Sequence, residues 1–262
     1  MGRSIQIDEN AEFNVQLDGP LLKLKNDETC SIYWSNTEES EADILILNVH
    51  TNQYSFPEII NQMSKIKFSI SSFISLKNLK KLSLYMCNMN QAFETNTTLI
   101  SDTLPNLVEL SIDYCKDIVE LPNGVCNFTH LVNLTITNCH KFSSLPKEIG
   151  KLENLELLRL SSCTDFELLP DSIVRLSNLR LLDISKCISL QSLPKDIGNL
   201  SNLRSLYMEN CSRCELPYSV INFENLKVIC DEETAISWED LNPKIKIEIP
   251  QADVNLNWLH PI

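Results

Sequence analysis

Glycine is scarce in this 262-residue chain, with five residues at 2, 19, 124, 150 and 198 that nowhere cluster. A glycine-rich phosphate loop is thereby disfavoured, since such loops need several close glycines to bring backbone N–H groups onto the ligand. Basic charge is scarce too. Lys plus Arg total 22 against 35 Asp plus Glu, a formal charge of −13, so a polyanion would be repelled and nucleic-acid binding is not expected. No run of about 18 apolar residues occurs, so membrane insertion is not expected either. The opening MGRSIQIDENAEF holds no apolar core for a secretory leader, and Gln6 stands where a myristoylation signal needs Ser or Thr. The expected location is the cytoplasm, with the nucleus also open. There the ten cysteines would be reduced thiols, and the Asn-x-Ser/Thr sequences at Asn96, Asn127, Asn133 and Asn199 would be chance matches.

What is present reads as a folded chain, 43% hydrophobic and 22% charged. Its length suits one large domain or one solenoid. Charge is partitioned along it. Residues 1–60 carry eleven acids against three bases, residues 61–230 carry seventeen of each, and residues 231–262 carry seven acids against two bases. A neutral body stands between two acidic flanks.

The body repeats. Cys115, Cys139, Cys163, Cys187 and Cys211 are each 24 residues apart, and Cys87 stands 28 before the first. Each closes a similar phrase: NLKKLSLYMC, NLVELSIDYC, HLVNLTITNC, NLELLRLSSC, NLRLLDISKC and NLRSLYMENC. The shared form, L-x-x-L-x-(L/I/M)-x-x-C, is a leucine-rich-repeat signature. Alternating pairs such as Leu110 and Ile112, or Leu158 and Leu160, make short strands with one buried face. No single strand can bury that face alone, so the coils must stack and share an interior. The second half of each repeat, as in FSSLPKEIGKL and FELLPDSIVRL, carries Pro146, Pro170 or Pro194, which lack a ladder N–H. Ile149–Leu152, Ile173–Leu176 and Ile197–Leu200 have the spacing of one tight helical turn. The expected fold is an α/β solenoid: a leucine-rich-repeat horseshoe with a parallel β concave wall, Pro-marked or short helical turns on the convex side, and a C-terminal cap.

The cysteine ladder is expected to be structural, its small weak-donor thiols pointing into the core where asparagine is often found in such repeats. Cys211-Ser-Arg-Cys214 resembles a redox pair, but Cys214 fills the apolar slot that holds Phe142, Phe166 and Leu190 in other coils. The histidines at 50, 130, 140 and 260 are scattered, and neither His-Glu-x-x-His nor Gly-x-Ser-x-Gly occurs. No enzyme, cofactor or metal site is expected.

That leaves the surface of the wall. Between the two core positions of successive strands lie Ser83, Ser111, Thr135, Arg159, Asp183 and Tyr207. The flanking columns include Leu157 and Leu181 on one side, and Tyr85 and Glu209 on the other. Arg159, Tyr207 and Tyr114 are of residue types that anchor interfaces, and Leu157 with Leu181 departs from a polar wall. A partner-binding face is therefore expected over Arg159, Asp183, Tyr207, Tyr114, Leu157, Leu181 and Glu209, with Trp258 a further candidate near the terminus.

The expected organisation is an N-terminal junction or cap over 1–43, about seven to eight repeats over 44–230, and a post-repeat cap over 231–262. ILILN at 44–48 starts the first strand, and residues 60–75 hold an irregular repeat. CDEETAISWEDL makes a short helix, KIKIEI an edge strand, and Trp258 with Leu259 would cover the last coil.

The phrases LPKEIGKLENLELLRLSSCTD, LRLLDISKCISLQSLP and LRSLYMENCSRCELP, with the tail CDEETAISW and KIKIEIPQADVNLNWLH, resemble the C-terminal part of plant helper immune receptors over about residues 20–262. These are nucleotide-binding leucine-rich-repeat proteins of the powdery-mildew-resistance type, comprising N-requirement-gene and activated-disease-resistance helpers. Their N-terminal helical domain and nucleotide-binding domain have no counterpart in these 262 residues, so the nucleotide switch does not carry over. The resemblance implies a non-enzymatic interaction module in disease-resistance signalling, with lipase-like heterodimers as partners of the repeats and tail. Two other readings stay open: a regulatory decoy that competes with full-length helpers, and a truncated gene model of a complete receptor. An extracellular receptor ectodomain is a weaker rival, because the ladder thiols are free.

Overall fold

The computed structural model describes residues 80–85, 101–102 and 104–250, together with the backbone of three earlier strands. Two of these, β1 (Glu12–Val15) and β2 (Leu22–Lys25), form an antiparallel hairpin with Glu12 opposite Lys25. The repeat pattern does not anticipate this hairpin, because four-residue strands outside the periodic body leave no repeating signal.

The third, β3 (Ile44–Asn48), begins the main sheet at the strand expected there. It is followed by β4 (Lys81–Tyr85), β5 (Glu109–Asp113), β6 (Asn133–Thr137), β7 (Leu157–Arg159), β8 (Leu181–Asp183), β9 (Ser205–Tyr207), β10 (Lys227–Ile229) and β11 (Lys246–Glu248). Among the described residues these nine strands pair in strict sequence order, all parallel. The register repeats at every step, so Leu82, Leu110, Leu134, Leu158, Leu182, Leu206 and Val228 form one inward column. All are buried, as are Leu84, Ile112, Ile136, Leu160, Ile184 and Met208 in the second column. Fully burying each such side chain contributes about 1.5–3 kcal/mol, and every coil supplies a wall for its neighbour's share.

The convex side is made of single 3-10 turns at Asn123–Asn127, Ile149–Lys151, Asp171–Arg175, Ile197–Asn199 and Tyr218–Asn222. Pro122, Pro170 and Pro217 cap three of them in the extended conformation that proline favours. These turns also pack closely. A Cβ added to Gly150 or Gly198 would fall onto the carbonyl oxygen of Ser172 or Ser219 in the next coil, so only glycine fits. Phe142 and Phe166 stack in parallel at 5.9 Å inside the coils.

Two further ladders tie coil to coil. Ladder thiols donate to a core-strand carbonyl of the preceding coil: Cys115 to Leu84 and Cys139 to Ile112 at 3.9 Å, Cys163 to Ile136 at 3.4 Å, and Cys187 to Leu160 and Cys211 to Ile184 at 3.0 Å. Before each cysteine the chain turns through a left-handed residue, Tyr114, Asn138, Ser162, Lys186 or Asn210, with φ between 53° and 62°. That bend swings the thiol inward. On the loop approaching each strand, Asn154, Asn178 and Asn202 donate side-chain amides to the carbonyls of Thr129, Glu153 and Ser177, one coil back.

Between β10 and β11 lies helix α1 (Glu232–Leu241), whose buried Trp238 packs into the core. Its indole N–H donates to the Met208 sulfur at 3.1 Å. Asn242, just past the helix, donates to the carbonyls of Val220 and Phe223 in the last coil. Among the described residues no helix is long and apolar enough to cross a membrane.

Candidate functional site

The parallel register brings most of the predicted wall residues into one field. Thr135, Arg159, Asp183 and Tyr207 are successive neighbours across β6 to β9, and Leu157 is the direct neighbour of Leu181. Leu157 and Leu181 are only half-buried, because they point away from the interior filled by Leu158 and Leu182. Tyr207 and Glu209 are likewise half-buried.

Arg159 and Asp183 are not two independent anchors. The Arg159 Nε donates to Asp183 Oδ2 at 2.9 Å, while Asp183 Oδ1 accepts the Ser185 N–H at 3.1 Å. Asp183 is only 8% exposed, so it depends on these donors to keep its charge in place. The pair presents a near-neutral, rigid polar element beside the two leucines.

Toward the N-terminal coils the wall is polar and self-satisfied. Asp113 Oδ1 accepts from the Thr137 hydroxyl at 2.7 Å and the Asn138 amide at 2.8 Å. Tyr114 lies at the rim of this region, at the left-handed bend, and is 39% exposed. Tyr85 pairs with Asp113 in the ladder. Trp258 and residues 60–75 lie outside the described residues.

Charged side chains at the N-terminal ends of the strands also pair from coil to coil: Lys81 with Glu109 at 2.9 Å, and Arg180 with Glu156 at 3.7 Å. Lys227 meets Glu248 at 2.5 Å. The alternating pattern does not reach Arg180 and Arg204, which stand one residue before β8 and β9. Nor does it show Asp231, whose role lies in the two elements its carboxylate joins. Its Oδ1 caps α1 through the Thr234 N–H at 3.0 Å, and its Oδ2 accepts the Asn210 N–H at 2.6 Å.

The thiols stand apart from this surface. All eight described cysteines are buried. Burial is the main cause that pushes the Cys163, Cys211 and Cys214 thiols up to about 12, and Cys126 and Cys230 up to about 11. Cys139 and Cys187 move further in the same direction for the same reason. At neutral pH they are protonated weak donors rather than nucleophiles. Among the described residues no group of three His, Cys, Asp or Glu could hold a metal ion.

Known proteins place this architecture. The leucine-rich-repeat domain of the type III effector XCV3220 (XopL) superposes with a TM-score of 0.54 at 20% identity, covering 80% of this chain and 69% of that one, a likeness of fold. No protein-family model matches the chain. Two probable disease resistance proteins of Arabidopsis thaliana are 49% and 48% identical to it, over 93% and 94% of this chain. The chain spans 35% of the length of each. A third probable disease resistance protein of Arabidopsis thaliana is 39% identical over 95% of this chain and 70% of its own length. With that match added to the stacked repeats, the chain belongs to the plant disease resistance proteins, as a leucine-rich-repeat region of the nucleotide-binding leucine-rich-repeat type.

Proposed function

We propose that this chain is a protein-binding module in plant defence signalling, without catalysis of its own, and that its partner seats on the C-terminal half of the concave wall. The observation that carries this reading is the pair Leu157 and Leu181. They are adjacent, half-exposed aliphatics in an otherwise polar sheet face, bordered by Tyr207 and the Arg159–Asp183 pair. An apolar step of this kind costs solvation in the free chain and gains when a partner covers it. Concave faces of solenoids are rigid and extended, which lets many weak contacts add without ordering the receptor first.

The partner class proposed, from the resemblance to helper receptors, is lipase-like defence-signalling heterodimers, and the compartment proposed is the cytoplasm or nucleus. Glu209, Tyr114 and Trp258 are proposed as peripheral contacts. The test is titration of the recombinant chain with a recombinant lipase-like heterodimer by calorimetry, comparing wild type with Leu181→Asp and Tyr207→Ala. Saturable binding that both variants weaken supports the reading. Binding indifferent to both variants, or none at all, ends it.

A further inference from the structure

Charge at the C-terminal ends of the strands is mixed, with Asp113, Asp183 and Glu209 beside Arg159 and Lys186. At the N-terminal ends Glu156 precedes Leu157, while the residues before Leu181 and Ser205 are basic. Arg180 and Arg204 precede β8 and β9, and their backbones are joined directly, the Arg204 N–H donating to the Arg180 carbonyl at 2.8 Å. Both side chains are exposed. Arg180 has only a loose acid neighbour, Glu156 at 3.7 Å. Arg204 Nη1 bonds to the carbonyls of Ser201 and Leu203, and no carboxylate lies within ion-pair reach of it among the described residues. A guanidinium carries five N–H donors, so most of its donors remain for a ligand.

We infer that the wall takes an acidic amphipathic helix of a partner protein, whose carboxylates meet Arg180 and Arg204 while its apolar residues cover Leu157, Leu181 and Tyr207. This rests on the concave-wall reading and adds the chemistry of the occupant. The spacing fits. Neighbouring strands stand about 4.8 Å apart, and residues one turn apart on a helix are about 5–6 Å apart, so a helix crossing the strands repeats once per coil. Carboxylates one turn apart would fall on the two arginines, with apolar residues beside them on the leucine column. The same arrangement discriminates against a basic helix, which would bring like charge onto two exposed guanidiniums.

A yeast-displayed library of random helical peptides, selected against the full chain, tests this. The expected winners carry Asp or Glu one turn apart beside Leu, Ile or Phe. They should lose about tenfold in affinity against the Arg180→Glu, Arg204→Glu double variant and weaken with rising salt. The milder Arg180→Ser, Arg204→Ser variant, with an unchanged thermal melt, guards against a folding effect. Winners that lose binding to Leu181→Asp yet bind both arginine variants as they bind wild type overturn the acidic occupant and leave the wall reading standing. An absence of winners, or winners blind to Leu181→Asp as well, sinks both.

Discussion

The carboxylate of Asp231 occupies the place that the next coil's backbone would take for Asn210. Tyr114, Asn138, Ser162 and Lys186 each donate their N–H to a carbonyl of the following coil, those of Thr137, Ser161, Ser185 and Glu209. Asn210 also faces a following coil, the one that carries β10, but there it donates to the Asp231 Oδ2 rather than to a backbone carbonyl, while Oδ1 caps α1. Burial works against this charge, but the N–H bonds from Thr234 and Asn210 and the Thr234 hydroxyl together hold the carboxyl below its ordinary range. A depressed folded value means that the stabilisation is present above the unfolded value, about 3.9 for Asp, and is lost as pH falls through the folded one. Asp231→Ala should cost about 1–2 kcal/mol in urea unfolding at neutral pH, and Asp231→Asn should flatten the acid limb of the stability profile.

Removing the Trp238 ring opens the core beneath α1. Trp238→Ala should cost about 3–5 kcal/mol by chemical denaturation. Trp238→Phe keeps most of the volume but loses the N–H that meets Met208, so its cost should fall well short of that.

Adjacent residues on β7 should behave oppositely. Leu158→Ala leaves a cavity in the shared interior and should cost about 2–5 kcal/mol. Leu157→Ala, on the outer face, should stay within about 1 kcal/mol in the same denaturation series and show its effect in partner affinity.

The wall's polar pair couples stability to recognition. Tyr207→Ala should weaken partner binding by about 1–3 kcal/mol with an unchanged melting temperature. Arg159→Glu should weaken binding and also lower the melting temperature, because nearly buried Asp183 would lose its guanidinium and face a second carboxylate. Exchanging the charges, Arg159→Asp with Asp183→Arg, should recover part of the lost stability.

His130 occupies the loop position at which Asn154, Asn178 and Asn202 make their cross-coil bonds. By the same 25-residue offset, His130→Asn would place an amide on the carbonyl of Pro105. The variant should gain about 0.5–1.5 kcal/mol in thermal or urea unfolding, the usual net worth of one such bond.

The raised thiol values carry their own pH signature. A thiol whose folded value lies above the unfolded one, about 8.5, contributes fully below that pH and loses its contribution as pH rises toward the folded value. The chain should therefore lose stability steadily between about pH 8.5 and about 12, and in native protein at pH 8 the eight described cysteines should resist iodoacetamide until it unfolds, read by peptide mapping.

The body of the fold is legible because each coil restates the same phrase. Leu110 with Ile112 announces a strand, Pro170 with Ile173 a turn, and the 24-residue step of the cysteines fixes how coils align. Sequence also placed Leu157 and Leu181 on the outside, since their partners at 158 and 182 take the inside. What it could not convey was pairing between coils. That Asp183 is clamped by Arg159, or that Asp231 serves two elements at once, depends on distances that neither residue's own neighbourhood encodes. Arg180 and Arg204 escaped notice because the alternating pattern begins after them. The β1–β2 hairpin lies outside the 24-residue repeat, and the alternation of Phe13 with Val15 and of Leu22 with Leu24 is too short to announce it alone.

The thiol ladder tightens along the stack, from 3.9 Å at Cys115 to 3.0 Å at Cys187 and Cys211. Each coil is held only by its immediate neighbours, so such a rod frays from an end while its middle keeps both walls. The surface around Leu157 and Tyr207 lies on β7 to β9, with paired strands on either side, and would outlast fraying at β4.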